Sequence, residues 1–127
     1  MILIPVSPGE LFDKLTILRL KRDKLADPAK QANVAAELKL LEAVEARELA
    51  GKADYAALVA ELQAINGGLW DVEEGKRDCE RRKDFGDRFI ALARAVYIEN
   101  DRRADIKRRL NLLFGSAIVE EKSYDAY

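Results

Sequence analysis

Between positions 55 and 72 the apolar residues Tyr55, Leu58, Leu62, Ile65, Leu69 and Val72 recur at alternating steps of three and four. A strand, with its period of two, cannot place such a set on one face. A helix of 3.6 residues per turn does so and gathers all six into a single narrow seam. A seam of that kind needs a second helix to cover it, as in antiparallel hairpins and coiled coils. The chain therefore has to supply other helices with matching stripes.

It does. Ser7-Pro8-Gly9-Glu10 carries a capping hydroxyl, a proline at the first helical position and an acid three residues after the cap. From there Leu11, Leu15, Leu18 and Leu25 predict a first helix reaching about Ala26, flanked by Phe12. Asp27-Pro28 restarts the pattern. The spacing of Val34, Leu38, Leu41 and Leu49 predicts a second helix over 28–50, ended by Gly51. Asp54 is placed to cap the third helix, which carries the seam. Gly67-Gly68 interrupts it and predicts either a kink or a close backbone approach, since each glycine costs about 1 kcal/mol relative to alanine in a helix. Past Val72 the seam meets Lys76 and Cys79, so this end is expected to project beyond the core. Asp84-Phe85-Gly86-Asp87 reads as a turn with Asp87 as the next cap. Phe89 through Leu113 then predicts a fourth helix, continuous through Asn100-Asp101 and stopped by Gly115.

Residues 2–6 read as extended, with Pro5 permitting only an isolated or edge strand, and pairing with the tail is one arrangement open to them. The tail, 116–127, carries Ile118, Val119, Tyr124 and Tyr127, enough apolar surface to pack back on the body. The expected fold is all-α: one domain over residues 1–127, an antiparallel bundle of about four helices with a short extended N-terminal segment and a C-terminal tail.

Composition removes several chemistries. There is no histidine, so imidazole bases, Ser–His–Asp triads and His–Cys zinc sites are excluded. The single cysteine, Cys79, forms no internal disulfide and lacks a histidine base. No carboxylate spacing resembles a metal site, and no cofactor motif is present. The first apolar run is too short for a signal peptide and has no basic start. No run approaches the ~20 apolar residues a membrane helix requires. A cytoplasmic protein without membrane contact is the expectation.

Net charge is −1 but unevenly spread. Residues 1–75 carry 9 basic and 13 acidic groups, 76–109 carry 12 and 7, and the remainder 1 and 3. The densest cluster is Asn100-Asp101-Arg102-Arg103-Ala104-Asp105-Ile106-Lys107-Arg108-Arg109. Arg103 and Lys107 share one helix face, Arg102 and Arg109 another, with Arg94 one to two turns earlier. Guanidinium forks take carboxylates or phosphates; the competing reading is a solvated face with Asp101 and Asp105 in local ion pairs. Asn66, Trp70 and Glu73 lie along one line of helix 3, extended by Arg77. They line a pocket, or else mark the edge of the core with Glu73 paired to Arg77. Asp13 sits between core positions beside Lys14. A buried carboxylate there needs a cation, and the fourth helix's arginines are the available ones.

Three stretches also carry a resemblance. They are Val6-Ser7-Pro8-Gly9-Glu10-Leu11 with Asp13-Lys14-Leu15-Thr16-Ile17-Leu18, Ile65-Asn66 with Leu69-Trp70, and Asn100-Asp101-Arg102-Arg103 through Asn111. With Glu120-Glu121-Lys122-Ser123-Tyr124 they resemble a bacterial and phage family of small helical proteins catalogued as a domain of unknown function. The resemblance supplies no catalytic residues. The Asp-Lys-Leu-x-Ile-Leu run also bears a likeness to helical chorismate mutases, which hold a dianion between arginines and a lysine and stabilise the transition state by preorganised charge.

Three functional readings follow. The first is a helical interaction module, homo-oligomeric and non-catalytic. The second is a small-anion site, for binding or for histidine-free pericyclic enzymology, built from Asp13, Lys14, Asn66, Trp70, Glu73, Arg94, Asn100, Asp101, Arg102, Arg103 and Lys107. The third is nucleic-acid binding through residues 76–109, against which the near-zero net charge and the missing aromatic interleaving count.

Overall fold

The computed structural model describes residues 1–127 and contains four helices: α1 (Pro8–Lys24), α2 (Pro28–Glu48), α3 (Ala56–Arg82) and α4 (Asp87–Leu113). No strand forms. The first two helices start as their sequences dictate. The Ser7 hydroxyl accepts from the Glu10 amide and the Asp27 carboxylate from the Ala29 amide, each ahead of a proline in the first turn. The other two do not. Tyr55 rather than Asp54 caps α3, and Gly86 rather than Asp87 caps α4; neither makes a side-chain capping bond. Instead Asp84 accepts from the Gly86 amide at 3.1 Å, ordering the turn.

α1 is the hub. It packs against α2, α3 and α4, and α3 packs along α4, whereas α2 touches α1 alone. The core follows this plan: Leu11, Phe12, Leu15 and Leu18 of α1 meet Leu62 and Ile65 of α3, Ile106 and Leu110 of α4, and Val34 and Leu38 of α2. Phe12, Tyr55 and Phe114 form an aromatic cluster at one end, with ring centroids 4.8–6.2 Å apart. The seam of α3 is therefore covered, with Leu62 and Ile65 buried and Tyr55, Leu58 and Leu69 packed at the edges.

The glycine pair does not break the third helix into two. α3 runs unbroken through Gly67-Gly68, and no backbone approaches either residue; a Cβ on Gly67 meets only the tip of Leu20, and one on Gly68 meets nothing. Close approach happens at Gly9, where a Cβ would stand 2.5 Å from the Lys107 carbonyl oxygen. Beyond the core the α3–α4 hairpin continues as a two-helix extension in which Gly75 admits Leu92 and Cys79 is fully buried.

α4 is continuous through Asn100-Asp101. The ends of the chain differ from expectation. Residues 1–6 make no backbone hydrogen bond, so they do not pair with the tail. The tail packs back only in part: Val119 is half-buried and the Tyr127 ring meets Tyr97 edge-on at 5.1 Å, while Ile118 and Tyr124 stay exposed and ion pairs hold the segment between.

Candidate functional site

The polar centre of the molecule is the Asp13 carboxylate, only 2% exposed and facing α3 and α4. Arg103 approaches it through two nitrogens. Nε donates to Oδ1 at 2.9 Å, and a terminal nitrogen donates to Oδ2. Asn66 Nδ2 donates to Asp13 Oδ1 at 3.0 Å and to the Thr16 hydroxyl at 2.9 Å. Lys107 Nζ stands 3.7 Å from Asp13 Oδ2 while bonding Glu10 at 2.9 Å and Glu120 at 3.2 Å. Asn100 accepts from Arg103 at 3.3 Å. Three helices and the tail thus meet in one ionic network.

The electrostatics follow from this geometry. Burial by itself pushes the Asp13 carboxyl up, but the bonds from Arg103 and Asn66 and the charges of Arg103 and Lys107 outweigh it and hold the group below the usual carboxylate range. Burial likewise pulls Lys107 down, and Glu10, Asp13 and Glu120 hold it above the usual lysine range. All three principal groups are charged at neutral pH. No buried side-chain polar atom is left without a partner, as a low-dielectric network requires.

The eleven residues singled out in the sequence fall into three groups. Asp13, Asn66, Asn100, Arg103 and Lys107 are joined directly. Trp70 and Glu73 line an adjoining groove between α1 and α3 whose wall also includes Asn66, Arg77 and Arg103. Lys24 sits over the Trp70 ring, 5.9 Å from its centroid. Glu73 pairs with Lys76 at 3.2 Å, not with Arg77. The remaining four do not join the network. Lys14 and Arg94 are exposed and make no ion pair. Arg102 is exposed and forks onto Glu99 at 3.0 and 3.1 Å. Asp101 pairs with Lys122 at 2.9 Å, while Asp105 pairs locally with Arg109.

Glu10, Thr16, Asn111 and Glu120 belong to the site; all four lie in the stretches that carry the resemblance, but none was singled out as a site residue. Glu10 looked like part of a capping box, yet its carboxylate reaches across to α4. Asn111 is fully buried and accepts from the Gly9 amide at 2.7 Å, fastening the start of α1 to the end of α4. Its signals were its place at the end of the Asn100–Asn111 stretch of the resemblance and a polar residue interrupting the Leu110–Leu112 apolar run.

Between α4 and the tail lies an open polar groove of about 510 Å³, lined by Arg103, Lys107, Arg108, Asn111, Glu120 and Tyr124 among others. No three metal-ligating side chains come together, and no helix is long and apolar enough to cross a membrane.

These features define an all-α domain organised around a central Asp–Arg–Lys network with a polar groove beside it. No family model, no curated protein and no solved structure matches this chain.

Proposed function

We propose that the protein is a non-catalytic interaction module that associates with a second copy of itself through its N-terminal arm. The observation that carries this reading is the exposure of that arm: Met1, Ile2, Leu3 and Ile4 are 69–95% exposed. Four consecutive large apolar side chains in water mark an interaction element. Their backbone N–H and C=O groups are also unpaired, as in a sheet edge awaiting a strand.

The arm's surroundings favour a second copy as the occupant. It leaves the body just before Gly9, which is fastened to Asn111; Leu112 and Leu113, which follow Asn111 at the end of α4, and Ile118 in the tail are also exposed. Arms exchanged between two copies, each covering exposed apolar residues of the other, make a two-fold arrangement. Burying one Ile or Leu side chain is worth about 1.5–3 kcal/mol, so several per copy offset the cost of association.

Light scattering after size exclusion at micromolar concentration tests this. Twice the chain mass is expected for the parent protein, and the chain mass for Ile2→Asp/Ile4→Asp. A parent protein that stays monomeric overturns the reading. The substitutions touch no residue of the core, so circular dichroism is expected to be unchanged.

A further inference from the structure

The groove between α4 and the tail has an asymmetric construction. Lys107 is backed by Glu10 and Asp13, both from α1 and both part of the fold, and is fronted by Glu120 from the tail. Arg108 is met only by Glu121, at 3.0 Å. Side chains of Glu120 and Glu121 are 69% and 75% exposed; the Arg108–Glu121 pair lies in water, where such pairs contribute little, and Glu120 caps the largely buried Lys107 from the solvent side. No backbone hydrogen bond ties residues 117–127 to a helix. The tail's two adjacent carboxylates are held by charge alone.

A second observation points the same way. Asn111 is 2% exposed and lines this groove. Its Oδ1 accepts from Gly9, but its Nδ2 donates to no group of the protein. No fully buried side-chain polar atom lacks a partner, so Asn111 Nδ2 reaches the groove, where it is a free donor on a cationic wall.

We propose that this groove is a binding site for a small dianion, a phosphate monoester or a dicarboxylate, which displaces Glu120 and Glu121 from Lys107 and Arg108 and accepts from Asn111 Nδ2. Arg103, which completes the cationic wall, is anchored on Asp13 and needs no rearrangement. Lys107 remains protonated because its fixed carboxylates on α1 stay in place when the tail leaves. The tail carboxylates are then internal competitors, and the apparent affinity is lowered by the fraction of time they occupy the site. This inference does not depend on self-association.

Isothermal titration with inorganic phosphate and, separately, with succinate tests it on the full chain. Saturable binding of one or both anions is expected for the parent protein; binding of phosphate alone assigns the phosphate source, and of succinate alone the dicarboxylate. Glu120→Gln/Glu121→Gln removes the competitor and is expected to tighten binding by about tenfold if the tail occupies the site most of the time. Asn111→Asp keeps the acceptor for the Gly9 amide but replaces the donor with negative charge, and is expected to abolish binding while the helical circular-dichroism spectrum persists. No saturable heat in either the parent protein or the double glutamine variant overturns the proposal. So does equal affinity in the two.

Discussion

Arg103 and Asp13, ninety positions apart, meet through two hydrogen bonds in the space between α1 and α4. The paired geometry uses the planar guanidinium in the way only arginine can. Removing one partner of such a pair strands the other, which is costlier than never having built it. Asp13→Asn is therefore expected to lower unfolding free energy by about 3 kcal/mol, because Arg103 and Lys107 lose their shared counter-charge. Arg103→Lys keeps the charge but not the fork, and about 1–2 kcal/mol is expected. Urea denaturation checks both. An Asp13→Asn value within the few tenths typical of surface changes contradicts the central role given to this pair.

The same network sets the response to pH. The Asp13 carboxyl is held below its ordinary value of 3.8. Its contribution is thus complete above that value and lost as pH falls through the lower, folded-state one. Lys107 is held above 10.5. Its contribution is complete below that value and lost as pH rises through the higher one. Stability is expected to be flat across neutral pH and to fall at both extremes. In Asp13→Asn the acid limb should be shallower, measured as the urea midpoint against pH.

Three glycines separate crowding from helix propensity. At Gly9 a methyl group meets the Lys107 carbonyl at 2.5 Å and Asn111 Oδ1 at 2.8 Å. Backbone cannot step aside, so Gly9→Ala is expected to cost about 1–3 kcal/mol and to loosen α1 from α4. At Gly75 the neighbour is the flexible tip of Leu92, and a smaller change is expected. At Gly68 nothing lies within 4 Å. Gly68→Ala should raise stability by about 0.5–1 kcal/mol through helix propensity alone. Thermal melts of the three variants should rank in that order, and a stabilised Gly9→Ala contradicts the close approach.

α2 rests on α1 only and buries just Val34 and Leu38. Amide hydrogen exchange is expected to show α2 opening well before α1 and the middle of α3, which sit inside the core. Equal protection across all four helices contradicts this.

The helices were legible because apolar spacing and proline-led caps act within one turn. Ser7 and Asp27 cap by way of amides two or three residues away, so their role is written locally. The caps of α3 and α4 were misplaced because Asp54 and Asp87 have the right chemistry, while Tyr55 and Gly86 take the position through the path of the turn. Asp13 with an arginine of α4 was legible from the cost of burying an unpaired charge. Glu10 and Glu120 were not, since both have plausible local roles and their partner Lys107 lies far off in the chain or across a loop. Lys14 and Arg94 share composition with the network but face water: at about 100° per residue, Lys14 is turned one step from Asp13, and Arg94, nine positions before Arg103, lies on nearly the opposite face.

α1 is synthesised well before α4, yet three of its contacts wait for that helix. Gly9 bonds a residue 102 positions later, Glu10 one 97 positions later and Asp13 one 90 positions later. Until α4 has been synthesised, the carboxylate of Asp13 has no counter-charge and the start of α1 has nothing to fasten to. Completing α1 therefore means closing loops of 90 to 102 residues, and folding is expected to be slower than for helical hairpins whose contacts are all local.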